Sequence, residues 1–422
     1  MVNTTIASVS VRNDCDHSEV VKSGRESAYL GIYAKTPASP EIQGFQTINK
    51  TGDLVEYVNP ETGEIFSFTF ESGKEFSLKP VKTSQQARAE RWALKAVVNR
   101  MFPTSRTSKC SRWKIPNQSV RILKNPEYKK AHYAGLERCG SVWWCPLCAS
   151  KIAERRRSEL VKAVSVARAS GLQVLMMTCT VPHGIGDDVN EINTKMLSAW
   201  RKMIDSRAGK NMKKLLGIEG TIRAFEVTYG QNGFHPHFHI LIFAQPDFTV
   251  QSFQNGFYPL WLNACIKAGL PAPSERHGLR VDDGSKAERY VAKWGLEDEM
   301  TKSHLKTSRG EKGQTPWDFL RDVLNTGSER AEALFRVYAN AFKGSRQLYW
   351  SNGLKAKLGV MDVSDEELAV LEEEHSNQLS ELTLEQWRAV LSTKSESSLL
   401  DLAERQPEMI DYFLSALMKS PV

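Results

Sequence analysis

The spacing of apolar residues changes near position 172. Before it, SQQARAERWALKAVVNR (84–100) and KIAERRRSELVKAVSVARAS (151–170) carry apolar residues at the three-to-four-residue period of amphipathic helices. After it, strand-like runs alternate with helical ones. LQVLMMTCTV, TIRAFEVTYG, FHPHFHILIFA and HGLRVDD read as strands. DVNEINTKMLSAWRKMI, TVQSFQNGFYPLWLNACIKAG and SKAERYVAKWGLEDEM read as helices. The link YGQNGF supplies Gly230, Asn232 and Gly233, so the second and third strands are expected to form an antiparallel hairpin. The pattern predicts an α+β fold, with a central antiparallel sheet flanked by helices.

Four regions are expected. Residues 1–83 are polar, with turn signals at NKTGD and NPETGE that suit a small hairpin and indicate no function. Residues 84–157 form a basic, cysteine-bearing region, and 158–305 hold the alternating strands and helices. Residues 306–422 are a connector followed by TPWDFLRDVL, ERAEALFRVYANAFK and an acidic helical segment from Ser364 that reads as a separate accessory unit.

Composition places the chain among ordinary globular proteins: 422 residues, 41% hydrophobic and 25% charged. The longest apolar runs, Val174–Met177 and Ile240–Ala244, are strand-sized, and the opening residues lack a signal-peptide pattern. A cytoplasmic protein without membrane contact is expected.

The net charge of +7 conceals a strong asymmetry. Residues 79–157 carry 19 Lys+Arg against 4 Asp+Glu, whereas 362–422 carry 4 against 14. The basic block, with Trp92, Trp113, Trp143 and Trp144 inside it, suits a surface that neutralises phosphates and stacks bases. Within it Arg155, Arg156 and Arg157 are the candidate DNA contacts.

Three constellations carry chemistry. In GFHPHFHILIF, alternation projects His235, His237 and His239 to one strand face. Across the hairpin, Glu226 comes beside them, and imidazoles with a carboxylate suit a divalent metal. Pro236 must sit at an edge, a strand start or a bulge. In ERYVAKW, Tyr290 and Lys293 share a helical face, so a phenol and an ammonium approach one ligand. Ser285-Lys-Ala-Glu288 matches a capping box, which gives Glu288 a structural role at the helix start. Finally, Cys110, Cys139, Cys145 and Cys148, the last two in CPLC, suit a tetrahedral structural zinc site, with His132 a substitute ligand. Cys179 and Cys265 read as packing residues.

Taken in order, MMTCTVPH (176–183), EVTYG with HPHFHIL (226–241) and YVAKW (290–294) resemble motifs 1, 2 and 3 of the HUH superfamily. More narrowly, they resemble the rolling-circle replication initiator (Rep) proteins of Gram-positive plasmids. CGSVWWCPLCASKIAERR and TPWDFL extend the resemblance, which covers about half of the chain.

It implies a metal-dependent DNA endonuclease and strand transferase that nicks one strand of a plasmid or phage-like origin. By position, His237 and His239 match the paired metal ligands of Mg²⁺ or Mn²⁺, with His235 or Glu226 third. Tyr290 matches the nucleophile, and Lys293 would neutralise the phosphate or order the metal site. Trp294 stands where some relatives have a second tyrosine, so a carboxylate, Glu288 or Glu297, would have to release the second strand. Implied partners are origin DNA, with a host helicase and polymerase, and the acidic tail could serve either self-association or contact with the helicase. Two other readings compete: a relaxase or single-strand transposase, and a non-catalytic zinc-bearing DNA-binding regulator.

Overall fold

A computed structural model describes residues 84–127, 129–292, 313–370 and 376–419, and of the first 83 residues only strands. The chain divides into two compact units, Met1–Arg88 and Ala89–Val422. In the first, β1 (Gln46–Thr51), β2 (Leu54–Val58), β3 (Ile65–Thr69) and β4 (Lys79–Val81) form an antiparallel sheet. NPETGE falls between β2 and β3, whereas NKTGD overlaps the end of β1.

The larger unit is built on a five-stranded antiparallel sheet. Its strands are β7 (Gln173–Cys179), β8 (Ile218–Gly230), β9 (Gly233–Ala244), β10 (Leu279–Asp282) and β11 (Leu348–Trp350), in the order β10-β7-β9-β8-β11. Gly230 pairs with Gly233 across a two-residue turn, and Gly233 has φ +84°, a left-handed value that glycine adopts without strain. β7 pairs with β9 only as far as Phe238, so Pro236 lies past the end of β7 and breaks no ladder bond there.

Alternation sends each strand's side chains into two cores. Leu175, Met177, Phe225, Phe238, Ile240 and Ile242 enter the larger one. There they meet α1 (Ser84–Met101), α3 (Val189–Asp205), α4 (Val250–Lys267), α6 (Pro316–Thr326) and α7 (Glu329–Phe342). Met176, Ile222, Ala224, Leu241 and Phe243 enter the smaller one, covered by α2 (Pro146–Ala169) and α5 (Gly284–Ala292). Each fully buried aliphatic or aromatic side chain stabilises the sandwich by about 1.5–3 kcal/mol. The three histidines share the smaller core's face, at its polar end.

Helix α2 joins the two cores. Its first turns (Cys148, Ala149, Ile152, Ala153) lie in the larger core, and Leu160, Ala163, Val164 and Ala167 lie in the smaller. The expected boundary at 157/158 therefore falls inside one continuous helix.

The acidic segment also departs from expectation, because it is packed against the basic region rather than set apart. β12 (Asn377–Leu382) pairs with β5 (Val120–Lys124), which pairs with β6 (Ala131–Ala134). Trp387 on α8 (Leu384–Ser392) and Leu399 on α9 (Glu396–Arg405) are buried with Ile122 and Tyr133. The opposite charges of the two segments attract. Asp365 binds Arg156 at 2.7 Å, and the Glu404 carboxylate accepts the Ala131 backbone N–H at 2.9 Å.

This packing corrects part of the expected DNA surface. Arg156 is buried, paired with Glu159 and Asp365 and donating to the Val363 carbonyl. Arg157 pairs with Glu154 on the surface, and Arg155 is half-buried. Trp143 and Trp144 are buried, donating to the Ser345 and Ala339 carbonyls, and Trp92 packs edge-on to Tyr133. Trp113 is exposed, with Lys109 over its ring, and is the one of the four tryptophans open to stacking. Among the described residues no helix is long and apolar enough to cross a membrane.

Candidate metal and nucleophile centre

The hairpin register sets Glu226 opposite His237 and Ala224 opposite His239. Directly opposed residues share a sheet face, so the carboxylate falls between the two imidazoles. One Glu226 oxygen, Oε2, lies 3.7 Å from Nε2 of His237 and 3.7 Å from Nε2 of His239. The other, Oε1, accepts a 2.6 Å hydrogen bond from the Tyr290 hydroxyl. Helix α5 delivers that tyrosine. Ala287 and Val291 anchor the helix in the smaller core, and the Tyr290 ring lies 4.9 Å from that of His239.

Glu226, His237 and His239 thus offer three ligand atoms within 4.8 Å of one another. Their side chains are 21%, 12% and 18% exposed, enough for a cation to enter a largely dehydrated niche. The donor set of two nitrogens and one carboxylate oxygen fits a divalent cation. His235 stands outside the group. Its ring stacks on His237, and its Nδ1 lies 3.4 Å from Nδ1 of His183.

The electrostatics suit ligation. Burial pushes the Glu226 carboxyl up, but His239, His237 and the Tyr290 hydroxyl outweigh it and hold it at about 2. Burial lowers His239 to about 4 against the upward pull of Glu226, and lowers His235 to about 3, helped by His237 and His183. At neutral pH the site therefore presents an ionised Glu226 carboxylate and a neutral His239 imidazole, the forms that bind metal.

These shifts predict acid lability. An unfolded histidine titrates near about 6.5, so below that pH the unfolded chain binds more protons than the folded one and stability falls with pH. His132 acts in the same direction, because burial holds it at about 4. The depressed Glu226 adds its loss only below about 4.3. The thermal midpoint of the protein as purified, without added Mg²⁺ or Mn²⁺, is expected to drop between pH 7 and pH 4.5, less steeply in His132→Asn. A flat profile would contradict the burial of neutral imidazoles.

The other named residues are placed as follows. Asp283, not Glu288, caps helix α5: its carboxylate accepts the backbone N–H groups of Ser285 and Lys286. Asp283 precedes the helix by one residue, where an Asx cap needs no distant partner. Glu288 instead pairs with Arg168 on α2. Lys293, Trp294 and Glu297 lie outside the described residues. Two residues near the histidines had no assigned role: His183, and Thr178, whose Oγ1 is 3.1 Å from Nδ1 of His239. Both lie in MMTCTVPH, but their positions beside the histidines depend on strand pairing, which local pattern does not reveal.

A second cluster sits at the start of α2. The sulfurs of Cys110 and Cys148 are 3.3 Å apart, while Cys110–Cys145 and Cys139–Cys148 are each separated by 3.7 Å. A tetrahedron of Zn–S bonds about 2.3 Å long spaces its sulfurs by about 3.8 Å, so the four thiols fit a zinc ion. Hydrogen bonds from Cys139, Cys145 and Cys148 hold the Cys110 thiol well below its ordinary value, while burial pushes Cys145 well up. His132 is not in this group, and neither ring nitrogen has a hydrogen-bond partner among the described residues. Cys179 and Cys265 are buried and unpaired.

Comparison with known proteins bears on this arrangement. A family profile described as "Replication protein" matches residues 134–396, which include both strands of the hairpin and Tyr290. The chain is 27% identical over 299 residues to "Protein rep" of Streptomyces lividans, covering 54% of this chain and 64% of that protein. It is 27% identical over 133 residues to "Neomycin resistance protein" of Streptomyces cyanogenus, covering 26% and 30% respectively. The chain thus spans less than two thirds of the length of either relative. No solved structure matches.

Proposed function

Because the chain belongs to the Replication protein family, we propose that it initiates rolling-circle replication by nicking one DNA strand at an origin. The observation that carries the reading is the shared use of one carboxylate. Glu226 holds the Tyr290 hydroxyl at 2.6 Å with one oxygen and faces both imidazoles at 3.7 Å with the other.

In this reading Tyr290 Oη attacks the scissile phosphorus. The bond to the 3′ oxygen breaks, leaving a 5′-phosphotyrosine link and a free 3′-hydroxyl that primes synthesis. Glu226, His237 and His239 would hold Mg²⁺ or Mn²⁺, which when bound polarises the phosphate and offsets charge in the transition state. The Glu226 carboxylate positions the phenol by accepting its hydrogen bond, and the proton lost from Oη balances the one that the departing 3′ oxygen takes up. The phosphotyrosine ester conserves the energy of the broken bond for rejoining. Lys293 is proposed to neutralise the phosphate and Glu297 or Glu288 to release the second strand. Of these two carboxylates, Glu288 is engaged by Arg168.

Incubation with an origin-containing single strand and Mn²⁺ is expected to yield a 3′ end that a polymerase extends. Retention of the DNA without cleavage would favour a non-catalytic DNA-binding regulator.

A further inference from the structure

The two imidazoles of the metal centre are held in different ways. His237 Nδ1 lies 3.1 Å from the backbone carbonyl of His235. A carbonyl only accepts, so this contact requires the proton on Nδ1, which in the neutral ring leaves Nε2 bare toward Glu226. His239 Nδ1 instead meets the Thr178 hydroxyl at 3.1 Å, and a hydroxyl can donate or accept. If it donated, the neutral ring would carry its proton on Nε2 and could not ligate there. Strand pairing fixes the contact: Thr178 on β7 is directly opposite His239 on β9, and Thr178 is flanked on its other side by Arg280 on β10.

We infer that Thr178 is a positioning residue that accepts the Nδ1–H of His239 and thereby turns a bare Nε2 toward the metal. The inference rests on the reading of Glu226, His237 and His239 as a metal centre. It gives the threonine of MMTCTVPH a chemical role. Partners that orient a ligating histidine are worth about 10–100-fold in metal affinity. The threonine touches neither cation nor DNA in this role, so its effect should pass through His239 alone.

The test is Mn²⁺ binding by the full-length protein, followed by the loss of the free-ion electron paramagnetic resonance signal. Wild type, Thr178→Val, Thr178→Ser and His239→Ala are compared. Thr178→Val, nearly isosteric but without the hydroxyl, is expected to bind Mn²⁺ about 10–100-fold more weakly. Thr178→Ser, which keeps the hydroxyl, should stay within about threefold of wild type. Nitrogen-15 shifts of the His239 ring should report an Nδ1–H tautomer in wild type and in Thr178→Ser, and a mixture in Thr178→Val. Wild-type affinity in Thr178→Val, with His239→Ala defective, would overturn the inference and leave the metal centre intact. Wild-type affinity in His239→Ala would overturn the metal centre itself.

Discussion

Tyr290→Phe is expected to abolish covalent attachment to DNA, with cleavage falling on the order of 10⁴-fold or more, as nucleophile removal does elsewhere. The phenyl ring keeps the contact with His239, whose ring centroid is 4.9 Å away, and the neighbouring Ala287 and Val291 remain in the smaller core. What disappears is the hydroxyl that Glu226 holds at 2.6 Å. Loss of that hydrogen bond should cost about 1–2 kcal/mol of stability, too little to unfold the protein. Metal binding should survive, since the proposed ligand atoms belong to Glu226, His237 and His239. Circular dichroism and Mn²⁺ titration of the same preparation would therefore separate lost chemistry from lost fold. Cleavage at the wild-type rate would remove Tyr290 from the mechanism.

Loss of a zinc ion proposed to be held by the four cysteines is expected to have the largest effect on stability. Cys110, Cys139, Cys145 and Cys148 lie within the larger core, beside Trp143, Ala149 and Ile152, not in a peripheral loop. Binding of structural zinc by four thiolates is worth about 10–16 kcal/mol at neutral pH, as much as the whole stability of a typical domain. Cys148→Ser should lose the ion and, with it, the anchor of α2, which reaches from this cluster to the smaller core beneath Tyr290. Elemental analysis should find about one zinc per wild-type chain and none in the variant, with a collapse of the thermal midpoint. A zinc-free variant that unfolds at the wild-type temperature would reduce the cluster to four packed thiols.

The central sheet is legible in the sequence because its strands are short apolar-rich runs bounded by turn signals and Gly230-Gln-Asn-Gly233 suits a tight turn. One consequence of that turn, Glu226 opposite His237, could be drawn before any coordinates. The choice between His235 and Glu226 could not, because it depends on a ring turning toward His183, 52 positions away in sequence. The acidic terminus misled for a related reason. Its periodicity announces helices but not the β12–β5 pairing that folds it back on the basic region. Charge counting likewise identified a basic block without revealing that Arg156 is consumed internally by Glu159 and Asp365. Trp143 and Trp144 show the same limit: aromatic residues beside arginines suit base stacking, yet both are buried and bonded to backbone carbonyls. Long-range partners decide each of these cases, and local pattern carries no record of them.

The most direct test of the account is to trap the protein on an origin strand with Mn²⁺, digest both components, and locate the modified residue by mass spectrometry. The account predicts one peptide, containing Tyr290, that carries a 5′-linked nucleotide through its phenolic oxygen. A nucleotide on any other residue, or cleavage with no adduct at any time point, would contradict it.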